Sequence, residues 1–525
     1  MGRQVVVIGA GVGGLCAAIR LQAAGQQVTL LERAAAPGGK LRQVPLDELC
    51  FDGGPSVLTM PFVFDELFAS AGARRADEVR FVPVSPACRH FFPDGTVLDL
   101  YNDEPAADHE QAQRLAADDP ALDQRWARSA AEIERVLGAR AAAEYRAFRR
   151  ELWALYQVVS GPFMMDATPL PRHPLGLVLS HGLATLRRMT TIDTRRTVWQ
   201  ALERRFHDER LRVLFARYAT YCGSDPFTAP ATLNVIPHVE LAFGLYTVEG
   251  GMYRLAEALQ ALALRLGVRL RCGAEVERVE LSRDERRAQA VHVGGERLPA
   301  DAVVANCDAA QLFGRHLQGT RLGAGQARAV AQQPASLSAY LRLVVAREVA
   351  GLPLCHHNVF FSADYPREFD ELWGRGGQAR APGDPTVYLC APDVARGSAL
   401  QRWFFLTNAP ALPRGGDAGW DAEQRQTCRA RIAAQLARHG IALDRHAQAE
   451  RSVTPRDFEA LFPHSRGALY GAAGNSRTAA FARPQNTVRG VENLYCVGGS
   501  THPGAGVPMV ALSARLTATQ LLARG

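Results

Sequence analysis

Val5-Val6-Val7-Ile8-Gly9-Ala10-Gly11-Val12-Gly13-Gly14 stands near the start of a 525-residue chain. Residues 4–8 form an apolar run suited to a buried parallel strand. The run meets a G-x-G-x-x-G spacing at Gly9, Gly11 and Gly14. A helical pattern follows from Leu15 to Ala24 and stops at Gly25, which suits a helix C-terminus. A second strand is expected at Gln27–Leu31, followed by Glu32, 23 residues after Gly9. Gly9 permits the tight turn, Gly11 lets the backbone approach a pyrophosphate, and Gly14 lets helix and strand pack closely. The helix N-terminus offers free N–H groups and a positive dipole end to phosphates. Glu32 can accept hydrogen bonds from ribose hydroxyls. Dinucleotide binding is therefore expected, on an α/β fold.

Outward from this motif come Glu32-Arg33, then Pro37-Gly38-Gly39-Lys40-Leu41, then Asp52-Gly53-Gly54-Pro55-Ser56. Near the other end, an apolar strand at Leu494–Val497 delivers Gly498-Gly499-Ser500-Thr501-His502-Pro503-Gly504-Ala505-Gly506-Val507-Pro508, and a helix from about Val510 to Leu522 leaves it. By the helix-terminus argument this is a second polar-ligand site. No second G-x-G-x-x-G follows a strand, which argues against a pyridine-nucleotide domain. The succession resembles the flavoproteins with two dinucleotide-binding domains. There a Gly-Gly turn after the acid lies along the flavin. The resemblance implies FAD. It implies cofactor contacts at Gly9, Gly11, Gly13, Gly14, Glu32, Arg33, Gly38, Gly39, Lys40, Leu41, Gly54, Pro55, Ser56, Val276, Gly498, Gly499, Gly506, Val507 and Pro508.

Three segments make the resemblance narrower. They are Phe51-Asp52-Gly53-Gly54-Pro55-Ser56-Val57, Val248-Glu249-Gly250-Gly251-Met252 and the stretch from Gly499 to Pro508. Together they resemble the bacterial carotenoid desaturases, from residue 4 to about residue 520, most specifically at the two ends. Thr59-Met60, Arg217-Tyr218-Ala219-Thr220-Tyr221 and the Gly-Gly-Ser-Thr-His-Pro form are more similar to the 1-hydroxycarotenoid 3,4-desaturase branch than to phytoene desaturases. The family usually has Ala where Gly53 stands. The resemblance implies that flavin N5 accepts a hydride while the protein orients the polyene. The second hydrogen can leave as a proton, so a strong base is dispensable. No Ser-His-Asp or Cys-His pairing is visible. His502 is the catalytic candidate; Asp225, Glu240 and Glu249 are further polar candidates. Each of the four reads equally as a structural residue. Asp65-Glu66 read as helix caps.

Hydrophobic residues at 47% and charged residues at 22% fit an ordinary globular enzyme. The net charge of +7 comes almost wholly from scattered Arg, which reads as a solvated surface or as attraction to an anionic membrane. Nothing resembles a nucleic-acid-binding pattern. The ten cysteines lie singly, form no C-x-x-C pair, and read as small buried hydrophobes of a reducing compartment. No metal-ligand set is expected. No run of 18 apolar residues occurs, so no membrane span is expected, and the N-terminus leaves no room for a signal peptide. His173–Met189 is either a monotopic membrane contact or a core helix.

The expected architecture is a discontinuous Rossmann-like FAD-binding domain, residues 1–100, 248–310 and 485–525. A helical region that contacts substrate or membrane, 101–247, and an α+β substrate domain, 311–484, complete it. The expected substrate is an apolar carotenoid and the expected electron acceptor oxygen or a quinone. The expected place is the cytoplasmic face of the cell membrane, bound peripherally. A phytoene desaturase, a carotenoid isomerase, an amine-oxidase-like flavoenzyme and a non-catalytic flavin- or lipid-binding protein remain alternatives.

Overall fold

In the computed structural model the opening apolar run is a strand, Gln4–Ile8, at the middle of a five-stranded parallel sheet. The strand order is Leu494–Cys496, Ala302–Ala305, Gln4–Ile8, Gln27–Leu31, Arg269–Arg271. Every pairing in it is parallel. The structure describes residues 2–102, 105–114, 119–166, 193, 195–347, 349, 351–415, 419–476, 479 and 483–524.

Successive side chains on a strand point to opposite faces, and here the two faces meet different layers. Val5 and Val7 pack into the core shared with helices Val12–Ala23, Tyr253–Arg265 and Val507–Ala523. Val6 and Ile8 pack against Val276, Val279 and Val291 of a three-stranded antiparallel sheet, Val276–Leu281, Ala288–Val293 and Glu296–Pro299. The result is a three-layered Rossmann-like unit with both faces of its parallel sheet covered.

The first helix begins at Val12, three residues before the apolar periodicity, with Leu15 N–H donating to Gly11 O at 2.9 Å. Gly13 and Gly14 carry no side chain to register in a hydrophobic pattern, so the pattern misses the first turn.

A second sheet has seven strands in the order Ala447–Val453, Ser338–Ala346, Gln401–Ala409, Val387–Cys390, His357–Phe360, Cys88–Phe91, Val97–Leu100. All nine residues of Ser338–Ala346 are buried. Tyr340 and Val344 meet Ile432 and Leu436 of helix Ala422–Ala437 on one face. Leu341, Leu343 and Val345 meet Phe51 and Phe458 on the other.

Some sequence expectations are corrected. Residues 210–235, whose apolar content reads as helical in the sequence, are not one helix: Glu209–Ala216 passes into a 3-10 turn, Arg217–Cys222, and helix Val235–Phe243 starts anew. Left-handed Gly223, Pro226 and Pro230 separate them. Asp65 and Glu66 lie inside helix Phe62–Ser70 and pair with Arg75 and Arg20, so neither is a cap. Cys50 and Cys272 are exposed, against the reading of all ten as buried; all ten are free thiols. Among the described residues no helix is long and apolar enough to cross a membrane. His173–Met189 lies outside the described residues.

Candidate cofactor and substrate site

A cavity of about 1500 Å³ runs through the molecule and gathers the glycine segments. Gly9, Gly11, Gly13, Glu32, Arg33, Gly38, Gly39, Lys40, Leu41, Gly54, Pro55, Ser56 and Val276 line it from the N-terminal half. Gly498, Gly499, His502, Gly506, Val507 and Pro508 line it from the C-terminal end. Gly14 alone of the expected cofactor residues stands behind the wall, where a Cβ would overlap the Gly9 carbonyl oxygen. Its absent side chain is what lets the helix sit against the turn.

Two helices aim their N-termini at this space. Val12–Ala23 and Val507–Ala523 both lack a side-chain cap and any acid in the first turn. Uncapped N–H groups at such an end need an acceptor, and an anionic ligand supplies one. Glu32 accepts from Ala10 N–H at 2.7 Å and Ala34 N–H at 2.8 Å, which fixes its carboxylate at the mouth of the turn. Gly54 lies so close to Lys40 O that a Cβ there would overlap it. These uncapped helix ends and this side-chain-free cradle fit a dinucleotide.

Several residues that build the site carry no local signal. Asn306 follows the strand Ala302–Ala305, and its Nδ2 donates to Gly9 O at 3.1 Å from beneath the turn. Asp52 accepts from Met252 and Tyr253 N–H at 2.8 and 3.0 Å, and Tyr253 Oη donates to Pro37 O at 3.0 Å. Three glycine-bearing segments are thereby tied together across about 200 residues. Arg483 Nη1 donates to Gly499 O at 2.8 Å.

Lys40 is the only lysine in the chain. Its ammonium donates to Leu469 O and lies 5.5 Å from the Phe462 ring. Burial pulls its pKa down, against the pull of Asp308. Of the polar candidates, Glu240 lines the cavity, whereas Asp225 is buried against Arg375 and Glu249 is exposed and faces Arg80. The last two do not reach the site.

The description "Flavin containing amine oxidoreductase" belongs to the family whose sequence pattern matches residues 12–522. This chain belongs to that family. The hydroxyneurosporene desaturase of Rubrivivax gelatinosus is 40% identical over 99% of the chain and 93% of its own length. That of Cereibacter sphaeroides is 38% identical, covering 99% and 97%. The 4,4'-diapolycopene oxygenase of Methylomonas sp is 35% identical, covering 99% and 98%. Within the family the chain thus sits among the bacterial carotenoid desaturases, and it is an FAD-dependent oxidoreductase. Among solved structures, a putrescine oxidase matches all of the chain and 99% of its own, with TM-score 0.61 and 16% identity. A fatty acid isomerase from P. acnes matches 98% and 97%, with TM-score 0.57 and 13% identity. At such identities these two speak for the fold alone.

Two features narrow what this flavoprotein's site can do. Tyr495 is 2% exposed and does not line the cavity, so it offers no aromatic wall there. His502 is buried and its Nε2 has no hydrogen-bond partner. Burial, helped by Arg483, brings its pKa down to about 4, so the ring is neutral near pH 7.

Proposed function

We propose that this flavoprotein desaturates a carotenoid, and that its substrate is a 1-hydroxycarotenoid converted at the 3,4 bond. The observation that carries the reading is the continuity of the cavity. The same space that meets the glycine segments continues between Val159, Phe163, Met164, Leu233, Ile236 and Val239. A long apolar polyene suits such walls, and the full-length likeness to hydroxyneurosporene desaturases supports the hydroxylated class.

Residues 1–100, 248–310 and 485–525 hold the cofactor in this reading, 101–247 meets substrate and membrane, and 311–484 forms the substrate floor. Gly9, Gly11 and Gly13 of the first turn, Gly38–Gly39 and Gly498–Gly499, with Glu32, Arg33, Lys40 and Leu41, are the cofactor's contacts. So are Gly54, Pro55, Ser56, Val276, Gly506, Val507 and Pro508. FAD supplies the hydride acceptor. Hydride loss from one carbon and proton loss from its neighbour leave the new double bond. His502, on the cavity wall, takes that proton. An allylic cation is a far stronger acid than an imidazolium of pKa about 4, so a weak base suffices. The apolar walls exclude water from the reacting carbons. The substrate enters from the inner face of the cell membrane, where the chain binds peripherally, and electrons leave to oxygen or a quinone.

Protein reconstituted with FAD is given liposomes loaded separately with phytoene and 1-hydroxyneurosporene. Absorption spectra and product masses are followed. A red shift with loss of two hydrogens from the hydroxylated substrate alone is expected. A shift from phytoene moves the chain to the phytoene desaturases, and an added oxygen atom moves it to the oxygenases. Silence with both, in FAD-loaded protein given an acceptor, sinks the desaturase reading.

A further inference from the structure

Beside its apolar walls the cavity carries a cluster of polar side chains. Arg217 begins the 3-10 turn Arg217–Cys222, and Glu240 lies on helix Val235–Phe243. Arg217, Tyr221 and Glu240 all line the cavity. Tyr218 Oη donates to one Glu240 oxygen at 2.7 Å, and Tyr221 Oη to the other at 2.8 Å. Arg217 Nη1 donates to Tyr221 Oη at 3.0 Å, and its guanidinium carbon lies 4.3 Å from the centre of the Tyr218 ring.

Glu240 is fully used by this arrangement; Arg217 is not. Arg217 is 6% exposed, yet its Nε and Nη2 have no hydrogen-bond partner, Nη2 lying 3.9 Å from a Glu240 oxygen. His90 Nε2 and His357 Nε2, both buried, also lack partners. Burial first, then Arg217, and for His357 also the neighbouring His356, hold both imidazoles well below their usual pKa. Folded proteins leave few buried donors unpaired, because each such group costs its desolvation with no return. Two on one guanidinium, in a side chain that lines the cavity, call for an acceptor from outside the chain.

The charge balance says which acceptor. Arg217 and Glu240 already neutralise one another. A carboxylate or phosphate would leave an uncompensated negative charge in an apolar pocket. A neutral oxygen accepts from Arg217 at no such cost. We propose that Arg217, Tyr221 and Glu240 form a subsite for a neutral oxygen substituent, a tertiary hydroxyl or its ether, at one end of the polyene. This rests on the carotenoid reading above and deepens it. Arg217 is its specificity-determining residue. The subsite also borders the cofactor wall. His357 Nδ1 and Ser56 Oγ each bond Tyr388 Oη at 2.7 Å, so a short chain runs from His357, within electrostatic reach of Arg217, to the Gly54-Pro55-Ser56 segment. A hydroxyl held there at C1 keeps the nearby 3,4 bond beside the cofactor.

The test compares 1-hydroxyneurosporene with neurosporene, its unhydroxylated counterpart, in liposomes with the FAD-loaded enzyme. Wild type is expected to favour the hydroxylated polyene by about 10- to 100-fold in kcat/KM, chiefly through KM. Arg217→Met is expected to shrink that ratio to about 3-fold, and Arg217→Lys to recover part of it, as loss and partial return of one donor require. Dissociation constants read from perturbation of the flavin spectrum give the same comparison without turnover. Should Arg217→Met fail to fold because Glu240 is left unpaired, the double change Arg217→Met with Glu240→Gln carries the same expectation. Equal use of the two polyenes by wild type overturns the subsite while the desaturase reading stands. So does a variant that loses both activities in parallel with its flavin spectrum intact, since packing alone would do that. Conversion of neither polyene by wild type overturns both readings.

Discussion

Gly14 marks how tightly a single position can be constrained. A methyl group there would run into the Gly9 carbonyl, so Gly14→Ala has to push the helix off the turn. The expected cost is about 1–3 kcal/mol of stability, with less flavin retained on purification. Urea midpoints and the flavin-to-protein absorbance ratio measure it; unchanged values would sink the packing role. Lys40 is constrained by desolvation. As a half-buried amine that is alone of its kind, tied to Leu469 O on the wall of the cofactor cavity, it should be shielded from an amine-reactive reagent in the folded, flavin-loaded protein. Peptide mass spectrometry should find the label on the N-terminus natively and on Lys40 only after denaturation. The glycine motifs were readable because turn and close approach demand glycine locally. Asn306 was not, since an Asn after a strand looks the same whether or not a glycine turn lies above it.

Helix ends decide much at the next scale up. Tyr253–Arg265 has no capping side chain from its own approach, and Asp52 supplies one from a distant segment. Asp52→Ala should cost about 1–2 kcal/mol, as loss of a good cap does, and should loosen Pro37 through Tyr253. A urea midpoint unmoved by this change would show the tie to be incidental. The elements called from pattern were sound where periodicity was unbroken, as at Gln4–Ile8 and Gln27–Leu31. They failed between 210 and 235, where apolar content stayed high while Pro226, Pro230 and Gly223 broke the backbone. Apolar content measures burial, not hydrogen-bond continuity.

For the molecule as a whole, buried histidines set the response to acid. His316 and His502 are 2% and 4% exposed, and burial lowers each to a pKa of about 4. Unfolded, each titrates near 6.5. Between those values the unfolded chain binds protons that the folded chain refuses, so stability falls as pH drops from about 6.5 to about 4. Each contributes up to about 3 kcal/mol of that loss. Urea midpoints measured across this range should decline and should be flat near pH 7 to 8. His502→Asn should flatten part of the slope, and an unchanged slope would remove His502 from the account.

The sequence by itself determined the first βαβ unit, the dinucleotide class of ligand and the two glycine-rich ends of the site. In each case a few adjacent residues fix the backbone they need. Tertiary structure alone decided that strands beginning at residues 4, 302 and 494 lie side by side. It alone decided that Asp52 caps a helix 200 residues away, and that Arg217 meets Glu240 inside an apolar cavity with two donors unspent. Those outcomes depend on which faces pack together over the whole chain, and no local propensity encodes a partner that far away.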